Sequence, residues 1–243
     1  MKKYNKFNMF IFGSTSEVMQ ALFRRHKSWF IEHIDNLYLV QRSSVVPKVY
    51  GDFKITVFSK VDCSDPRRFR KNLDEIVKRH ATRKVPMHVF STYGKFNWNF
   101  EDKVFDHTDD GLQINLNSRI QIIEAFRPYA DSMRFHLLGS LFANFPYTGD
   151  YAISMRFVNQ LVKNPHYLNL NLGLYNLGGM KTRFWDWQRD PSTKPFVFDD
   201  IKLPIDFIFK HGFIENTCGA VTLYPTPISR FACFLGRIGI RVL

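Results

Sequence analysis

Two hydroxyl-bearing residues, Ser140 and Tyr151, lie close together in the sequence SLFANFPYTGDY. A serine hydroxyl can hold a carbonyl oxygen, and a tyrosine hydroxyl beside it can exchange a proton with that oxygen. The pair therefore indicates acid–base chemistry at a carbonyl or alcohol group. Two structural alternatives remain open: Ser140 could cap a turn, and Tyr151 could be an ordinary aromatic residue at a helix start with its hydroxyl in water.

A second candidate site is the turn that follows the first apolar stretch. Gly13 ends a predicted strand, and small hydroxyl residues then open a predicted helix. The backbone N–H groups and the dipole of such a helix start can bind a pyrophosphate. The candidate cofactor-binding residues of this turn are Gly13, Ser14, Thr15, Ser16, Glu17 and Val18.

This turn lacks two of the three glycines of the full dinucleotide-binding fingerprint. Glu17 and Met19 occupy the other two glycine positions. Glu17 would bring negative charge near the phosphates, and Met19 would obstruct close packing. A plain helix start capped by Ser14, Thr15 or Ser16 is therefore the alternative.

Arg42 follows the second predicted strand, where dinucleotide sites distinguish NAD from NADP. An NAD site places an acidic residue here for the ribose hydroxyls, whereas an NADP site favours a cation for the additional phosphate. Arg42 therefore favours NADP if a dinucleotide binds, and an ordinary surface arginine is the alternative.

The order of apolar stretches predicts the scaffold that positions these residues. Strands are predicted at 8–12, 37–40, 55–61, 87–90, 134–138 and 167–174, and helices at 17–29, 65–82, 112–129 and 151–163. This βαβα order predicts an α/β fold, a Rossmann-like doubly wound parallel sheet with helices on both faces. Ligands bind at the carboxyl ends of the strands in such sheets. We expect residues 1–243 to form a single domain, since no linker or repeat interrupts them.

Taken in chain order, these candidate residues and predicted elements resemble the short-chain dehydrogenase/reductase family over most of the chain. The resemblance rests on the Gly13 turn, Arg42, Asp62, the turn of Ser91, Thr92, Tyr93 and Gly94, Asn115, Ser140, Tyr151 and Thr182. It implies NAD(P)-dependent chemistry on carbonyl and hydroxyl groups. The roles that it implies are adenine contact for Asp62, a backbone kink or relay water for Asn115, carbonyl binding for Ser140 and proton donation for Tyr151.

One position departs from the family pattern, which has a lysine four residues after the tyrosine. Met155 stands there, and the adjacent Arg156 is rotated by about 100° around the helix. A nearby cation typically shifts a pKa by ~1–3 units, so without one we expect Tyr151 to titrate near the ordinary pKa of about 10. Tyr151 would then remain a usable proton donor for ketone reduction but a poor base for alcohol oxidation.

A candidate substrate-binding segment follows the sixth predicted strand. Arg183, Trp185 and Arg189 lie in the sequence KTRFWDWQRDPSTK, where the family resemblance places a flap over the substrate. Cations and aromatic rings together suit a sugar phosphate or a similar anion. A surface loop with aromatic anchors is the alternative.

Residues 228–243, ISRFACFLGRIGIRVL, form a basic amphipathic tail. Such a pattern is typical of an interfacial helix or a partner-docking element. The tail is similar to the apolar, arginine-bearing tails of the reductases that make polyprenyl-phosphoryl arabinose from its ribose precursor. Packing on the chain's own sheet or across a dimer is the alternative.

The composition of the chain limits the classes of partner that it is expected to bind. The net charge of +12 favours phosphorylated ligands or an anionic membrane surface. The basic residues are scattered and no nucleic-acid-binding motif is present, so we expect no nucleic-acid partner. The three cysteines form no CxxC pair and the eight histidines no HxxxH or HExxH arrangement, which favours a reducing, cytoplasmic location and argues against a metal site.

Three hypotheses follow. The leading one is NADP-linked (or NAD-linked) reduction of a keto group on a phosphorylated or lipid-linked sugar, in surface-polysaccharide synthesis. The second is a non-catalytic binding or partner subunit of the same fold that has lost dehydrogenase activity. The third is a peripheral membrane protein that acts through its tail at the inner membrane face. For each we expect a homo-oligomer.

Overall fold

Seven parallel strands form the central sheet in a computed structural model, which describes residues 6–99, 101–102, 104–180 and 191–241. The strands are β1 (Phe7–Phe12), β2 (Ile34–Val40), β3 (Ile55–Phe58), β4 (Met87–Ser91), β5 (Met133–Ser140), β6 (Leu172–Leu177) and β7 (Gly219–Leu223). They lie in the order β7-β6-β5-β4-β1-β2-β3, and every neighbouring pair is parallel. The predicted parallel α/β sheet is therefore confirmed.

Helices cover both faces of this sheet. The α-helices of the described residues are α1 (Glu17–Arg25), α2 (Lys27–His33), α3 (Pro66–His80), α4 (Ser118–Phe126), α5 (Asp150–Leu161), α6 (Lys202–Phe209) and α7 (Pro227–Arg237). Successive side chains of β1 point to opposite faces. Phe10 and Phe12 pack with α3, α4 and α5, whereas Met9 and Ile11 pack with α1, α2 and α6. The doubly wound arrangement is thus confirmed as well.

Two predicted helices are interrupted. The helix predicted at 17–29 is two helices, because the chain bends at His26, whose ring stacks on Phe209 at a centroid distance of 3.7 Å. The helix predicted at 112–129 begins as a π-helical turn at Gln113–Asn117 and continues as α4. It ends at Phe126, because the next residues, with Pro128, form a 3₁₀ turn.

Two predicted strands have different ends. The strand predicted at 167–174 begins only at Leu172, because Asn164 caps a 3₁₀ turn that opens with Pro165. The strand predicted to continue to residue 61 ends at Phe58, shortly before Lys60 takes a left-handed conformation with φ 59°.

In the C-terminal part, the sequence patterns did not predict β7, α6 or a short parallel strand pair, Gly179–Met180 with Val197–Phe198. β7 is an edge strand without a fully buried side chain, so its sequence lacks a clear apolar signal. The tail forms α7, which begins at a capping box made by Thr226 and Ser229. No helix of the described ranges is long and apolar enough for a membrane span.

Candidate functional site

A cavity of about 650 Å³ opens among the loops that follow β1, β4 and β5. In the strand order, β2 and β3 lie to one side of β1, and the chain then returns to place β4 next to β1 on its other side. Such a reversal creates a crevice at the carboxyl ends of the strands, where α/β sheets bind ligands. The cavity volume is within the ~300–1,000 Å³ that is usual for small-molecule sites.

Most residues that the sequence singled out line this cavity: Gly13, Thr15, Ser16, Glu17, Val18, Arg42, Asp62, Thr92, Tyr93, Gly94, Ser140 and Tyr151. Three candidates are absent from the lining, namely Ser14, Ser91 and Asn115. Ser14 and Ser91 are buried, and the Ser14 hydroxyl donates to the side-chain oxygen of Gln41 instead. The four candidates Thr182, Arg183, Trp185 and Arg189 lie outside the described residues.

The turn after β1 is held against the loop after β4. Gly13 has φ +86°, and a Cβ atom there would lie 2.5 Å from Oγ1 of Thr92. The Thr92 hydroxyl donates to the carbonyl oxygens of Phe12 (3.0 Å) and Gly13 (2.8 Å). A glycine is therefore required at position 13, both for the left-handed backbone and for the close approach. The first residues of α1 consequently face the cavity.

The two residues that replace fingerprint glycines behave differently. Met19 is fully buried and packs in the core beneath α1, so its side chain does not enter the cavity. Glu17 lines the cavity at the first turn of α1. The Met19 side chain therefore does not obstruct the cavity as expected, whereas the negative charge expected from Glu17 does lie at the site.

Asp62 and Arg42 form a charged part of the cavity wall. Asp62 accepts hydrogen bonds from the Ser64 backbone N–H (3.0 Å) and from the Ser64 hydroxyl (2.9 Å). These bonds, with a smaller contribution from the charges of Arg42 and Arg68, hold the pKa of Asp62 below its ordinary value. Asp62 is therefore ionised at neutral pH, and the cation of Arg42 is close enough to contribute.

Ser140 and Tyr151 also line the cavity. Ser140 ends β5, where its hydroxyl accepts a hydrogen bond from the Phe142 backbone N–H at 3.2 Å. It therefore caps the following turn, as the structural alternative predicted. Tyr151 lies in the first turn of α5, and the rings of Phe96 and Phe105 lie 4.9 Å from its ring. The Ser140 side chain acts on the pKa of Tyr151, so the two candidate groups lie near each other.

The start of α5 is placed by Gly149. This residue has φ +108°, and a Cβ atom there would lie 2.2 Å from the carbonyl oxygen of Phe105. Only glycine permits this approach. The contact fixes the chain that carries Phe105 beside Tyr151.

Burial raises the pKa of Tyr151, while the charge of Arg119 and the side chain of Ser140 oppose that increase. The pKa remains above its ordinary value, so Tyr151 carries its proton at neutral pH. The sequence-based expectation of an unshifted pKa is therefore wrong. Met155 itself is fully buried in the core.

Asn115 acts on the backbone of the neighbouring loop. It lies in the π-helical turn before α4, and its amide donates to the Lys95 carbonyl oxygen at 2.8 Å. The Lys95 N–H donates in return to the Asn115 side-chain oxygen at 2.7 Å. Asn115 thus lies where the helix is distorted, and such π-helical turns are frequent at functional sites. Its two bonds to Lys95 also fix a loop that lines the cavity.

Sequence reasoning missed Arg119, which lines the cavity and is 2% exposed. It lies one helical turn after Asn115, so the two residues share a face of the helix. Its guanidinium donates to the carbonyl oxygens of Leu138 (2.5 Å) and Tyr93 (2.7 Å). Burial lowers the pKa of Arg119 to about 10, so it remains charged at neutral pH. Its spacing from Asn115 places it on the same helical face, but an arginine in a helical pattern usually lies in solvent, so the sequence carried no signal of its burial.

Lys95 and Asp110 were missed as well. Both line the cavity, and Nζ of Lys95 lies 2.5 Å from a carboxylate oxygen of Asp110. Both side chains remain partly exposed, so the pair adds polar groups at the mouth of the cavity and little stability.

No protein-family model and no curated protein sequence matches this chain. Solved structures with the same fold do match it. A short-chain dehydrogenase from Mycobacterium paratuberculosis bound to NAD has a TM-score of 0.66 and 14% identity, and the match covers 91% of this chain and 97% of that chain. A gluconate 5-dehydrogenase from Burkholderia cenocepacia, in complex with NADP and tartrate, has a TM-score of 0.69 and 13% identity, with 90% and 94% covered.

A short-chain dehydrogenase from Salmonella enterica serovar Typhi has a TM-score of 0.64 and 16% identity, and the match covers 93% of this chain and all of that chain (100%). These three proteins share with the present chain an arrangement that extends over nearly its whole length. The resemblance predicted from the sequence is therefore confirmed at the level of the fold.

Proposed function

We propose that this chain, which has the fold of the short-chain dehydrogenases and reductases, is a divergent member of that family that reduces a carbonyl group with NADPH or NADH. The observation that carries this proposal is that Ser140 and Tyr151 line the same cavity, with the Ser140 side chain acting on the pKa of Tyr151. Similar structures are described with NAD or NADP bound, which supports a nicotinamide cofactor.

The residues of the cavity fit such a cofactor. Gly13 turns the chain so that the start of α1 faces the cavity, and a helix start favours phosphate. Arg42 and Asp62 lie beyond this turn, where they suit the adenosine half, and the cation of Arg42 favours a 2′-phosphate. When bound, the reduced nicotinamide would supply a hydride to the carbonyl carbon of the substrate.

Ser140 and Tyr151 would handle the carbonyl oxygen. The Ser140 hydroxyl donates a hydrogen bond to this oxygen, and the Tyr151 hydroxyl transfers its proton to it. Because Tyr151 is protonated at neutral pH, it is in the correct form for reduction. The products are an alcohol and a Tyr151 phenolate, which recovers its proton from solvent. Phe96 and Phe105 flank the tyrosine ring and shield it from water.

The substrate that we propose is a keto group on a phosphorylated or lipid-linked sugar, with a role in surface-polysaccharide synthesis. The net charge of +12 supports an anionic ligand. Turnover of phosphorylated and unphosphorylated keto sugars, compared at equal concentration, tests this part of the proposal.

The decisive experiment combines NADPH binding with turnover. Tyr151→Phe should retain NADPH affinity and lower turnover by ~100-fold or more, since general acid catalysis typically contributes ~10²–10⁴-fold. Tyr129→Phe, which changes a tyrosine outside the cavity lining, is the matched control. Absence of NADPH and NADH binding at millimolar concentration would refute the enzyme. Binding without turnover of any carbonyl substrate would favour the non-catalytic subunit.

We further propose that α7 binds an anionic membrane surface. The helix buries its small residues Ala232, Cys233 and Gly236, and exposes Ile228, Phe231 and Phe234. Arg230 is exposed on the same helix, so apolar and basic groups face outward together, as in interfacial helices. Arg237 instead bonds to Asn144 and Tyr224, which anchors the helix to the domain.

Cosedimentation with vesicles tests this second proposal. The chain should sediment with vesicles that contain anionic lipid, and Phe231→Ser with Phe234→Ser should abolish this association. Phe157→Ser, at a phenylalanine that is 53% exposed on α5, is the matched control. If vesicles bind neither form and the double variant instead converts an oligomer to a monomer, a second copy of the chain covers α7.

A further inference from the structure

Arg119 is a buried cation that has no acidic partner among the described residues. It is 2% exposed, and Tyr151 is the titratable group of the described residues whose charge acts on it. An unpaired buried charge is costly to the folded state. A long apolar side chain could fill this space on α4 without that cost, so the charge itself requires an explanation.

The hydrogen bonds of Arg119 place its guanidinium between two strand ends. One N–H donates to Leu138 in β5, and another donates to Tyr93 in the loop after β4. The N–H at Nε is buried and has no partner among the described residues. Leu138 is two residues before Ser140, and both Arg119 and Tyr151 line the cavity. The cation is therefore held on the wall that carries the proton donor.

We propose that Arg119 supplies, from α4, the positive charge that position 155 lacks, and that this charge stabilises the phenolate of Tyr151. Its consequence for catalysis rests on the proposed function, because the phenolate forms as Tyr151 donates its proton to the substrate. Arg119 acts through Tyr151 and is thus a positioning residue. Met155 is buried in the core and is absent from the cavity lining, so the charge comes from the neighbouring helix.

The test is the ionisation of residue 151 in the cofactor-free protein. 3,5-Difluorotyrosine, whose phenol is more acidic than that of tyrosine, is placed at position 151 and titrated by its absorbance. Arg119→Met should raise the pKa at position 151 by ~1–3 units. Arg119→Lys retains the charge but not the bidentate geometry, so its pKa at position 151 should lie closer to that of the parent protein. Coincident titrations of Arg119→Met and the parent, or no ionisation in either, would overturn the proposal.

Arg134→Met is the matched control. Arg134 is also buried and donates to two backbone carbonyl oxygens, those of Asn216 and Thr217, but its charge acts on His88, His136 and Tyr175. Its replacement should leave the titration at position 151 unchanged. A shift as large as that of Arg119→Met would assign the effect to general loosening of the fold and overturn the proposal.

A second comparison applies if Arg119→Met does not fold. In the parent protein, difluorotyrosine at position 151 should ionise at a lower pH than at position 93. The Tyr93 hydroxyl is also buried, and burial raises its pKa, with smaller contributions in the same direction from Cys63 and Asp62. The reverse order would overturn the proposal. Since neither titration uses a cofactor, failure to bind NADPH refutes the proposed function alone.

Discussion

At the scale of single residues, Glu17 is an acidic group of the cavity at the helix start where the phosphates of a cofactor would bind. It lies in the first turn of α1, facing the cavity. We predict that Glu17→Gln tightens NADPH binding by ~2–5-fold, since a charge at a helix start contributes ~0.3–1 kcal/mol. Isothermal titration calorimetry measures the change, with Glu32→Gln on the exposed part of α2 as the matched control. Weaker binding would show that Glu17 contacts the cofactor favourably.

The sequence predicted several of these residues and not others, for physical reasons. Gly13, Ser140 and Tyr151 could be predicted because each stands at a strand end or helix start and has a recognisable chemical type. Arg119 could not be assigned, because an arginine in a helical pattern usually lies in solvent. Its burial depends on how α4 packs over Leu138, and a linear pattern does not contain that information.

At the scale of elements, three neighbouring strands are joined by a buried chain of hydrogen bonds. Nδ1 of His88 in β4 lies 2.8 Å from Nε2 of His136 in β5. Nδ1 of His136 lies 2.7 Å from the Tyr175 hydroxyl in β6. Burial lowers the pKa of His88 to about 3 and the pKa of His136 well below its ordinary value. Both rings are therefore neutral in the folded protein.

This network predicts that the protein loses stability in mild acid. The unfolded chain binds protons on these histidines below pH ~6.5, while the folded chain does not until near the lowered pKa, so unfolding is favoured as pH falls through this window. Each neutral histidine should contribute a loss of ~1.4 kcal/mol per pH unit. Urea unfolding at pH 7.5, 6.0 and 5.0 measures the slope. His136→Phe should reduce it, whereas the exposed His166→Gln should not; equal slopes would contradict the assignment.

The side chain of Asn115 connects a helix to a loop, and its removal has a predictable cost. Asn115→Ala leaves the N–H and the carbonyl oxygen of Lys95 without their partner. Both bonds are only partly buried, and an ordinary hydrogen bond contributes ~0.5–1.5 kcal/mol, so we predict a loss of ~1–3 kcal/mol in the free energy of unfolding. Asn97→Ala, which removes an exposed side-chain bond to Asp106, should cost far less. Similar losses for both variants would contradict the role of Asn115.

Elements with strong periodic patterns were predictable, and those placed by tertiary contacts were not. β1 is buried along its whole length and gives an unmistakable apolar run. β7 has no fully buried side chain, so it becomes a strand by pairing with β6. The bend at His26 likewise depends on stacking with Phe209, which is distant in the sequence.

At the scale of the whole molecule, the net charge of +12 should make ligand binding depend on salt. Screening weakens the attraction between a basic protein and an anionic ligand. We predict that the Kd of NADPH rises more steeply between 20 and 300 mM NaCl than that of NADH, which has one phosphate fewer. Arg42→Ala should remove the difference, whereas Arg79→Ala, on the exposed face of α3, should not. Equal slopes in the parent would contradict this.

The double hydrogen bond between Asn115 and Lys95 also has a consequence for how such a protein can diversify. These bonds hold together the two ends of the segment 95–115. The ion pair between Lys95 and Asp110 links the start of this segment to a residue near its end a second time. Both anchors can stay fixed while the intervening sequence is exchanged. A replacement segment of different length that keeps Phe96 and Phe105 beside Tyr151 would therefore alter which molecules enter the cavity.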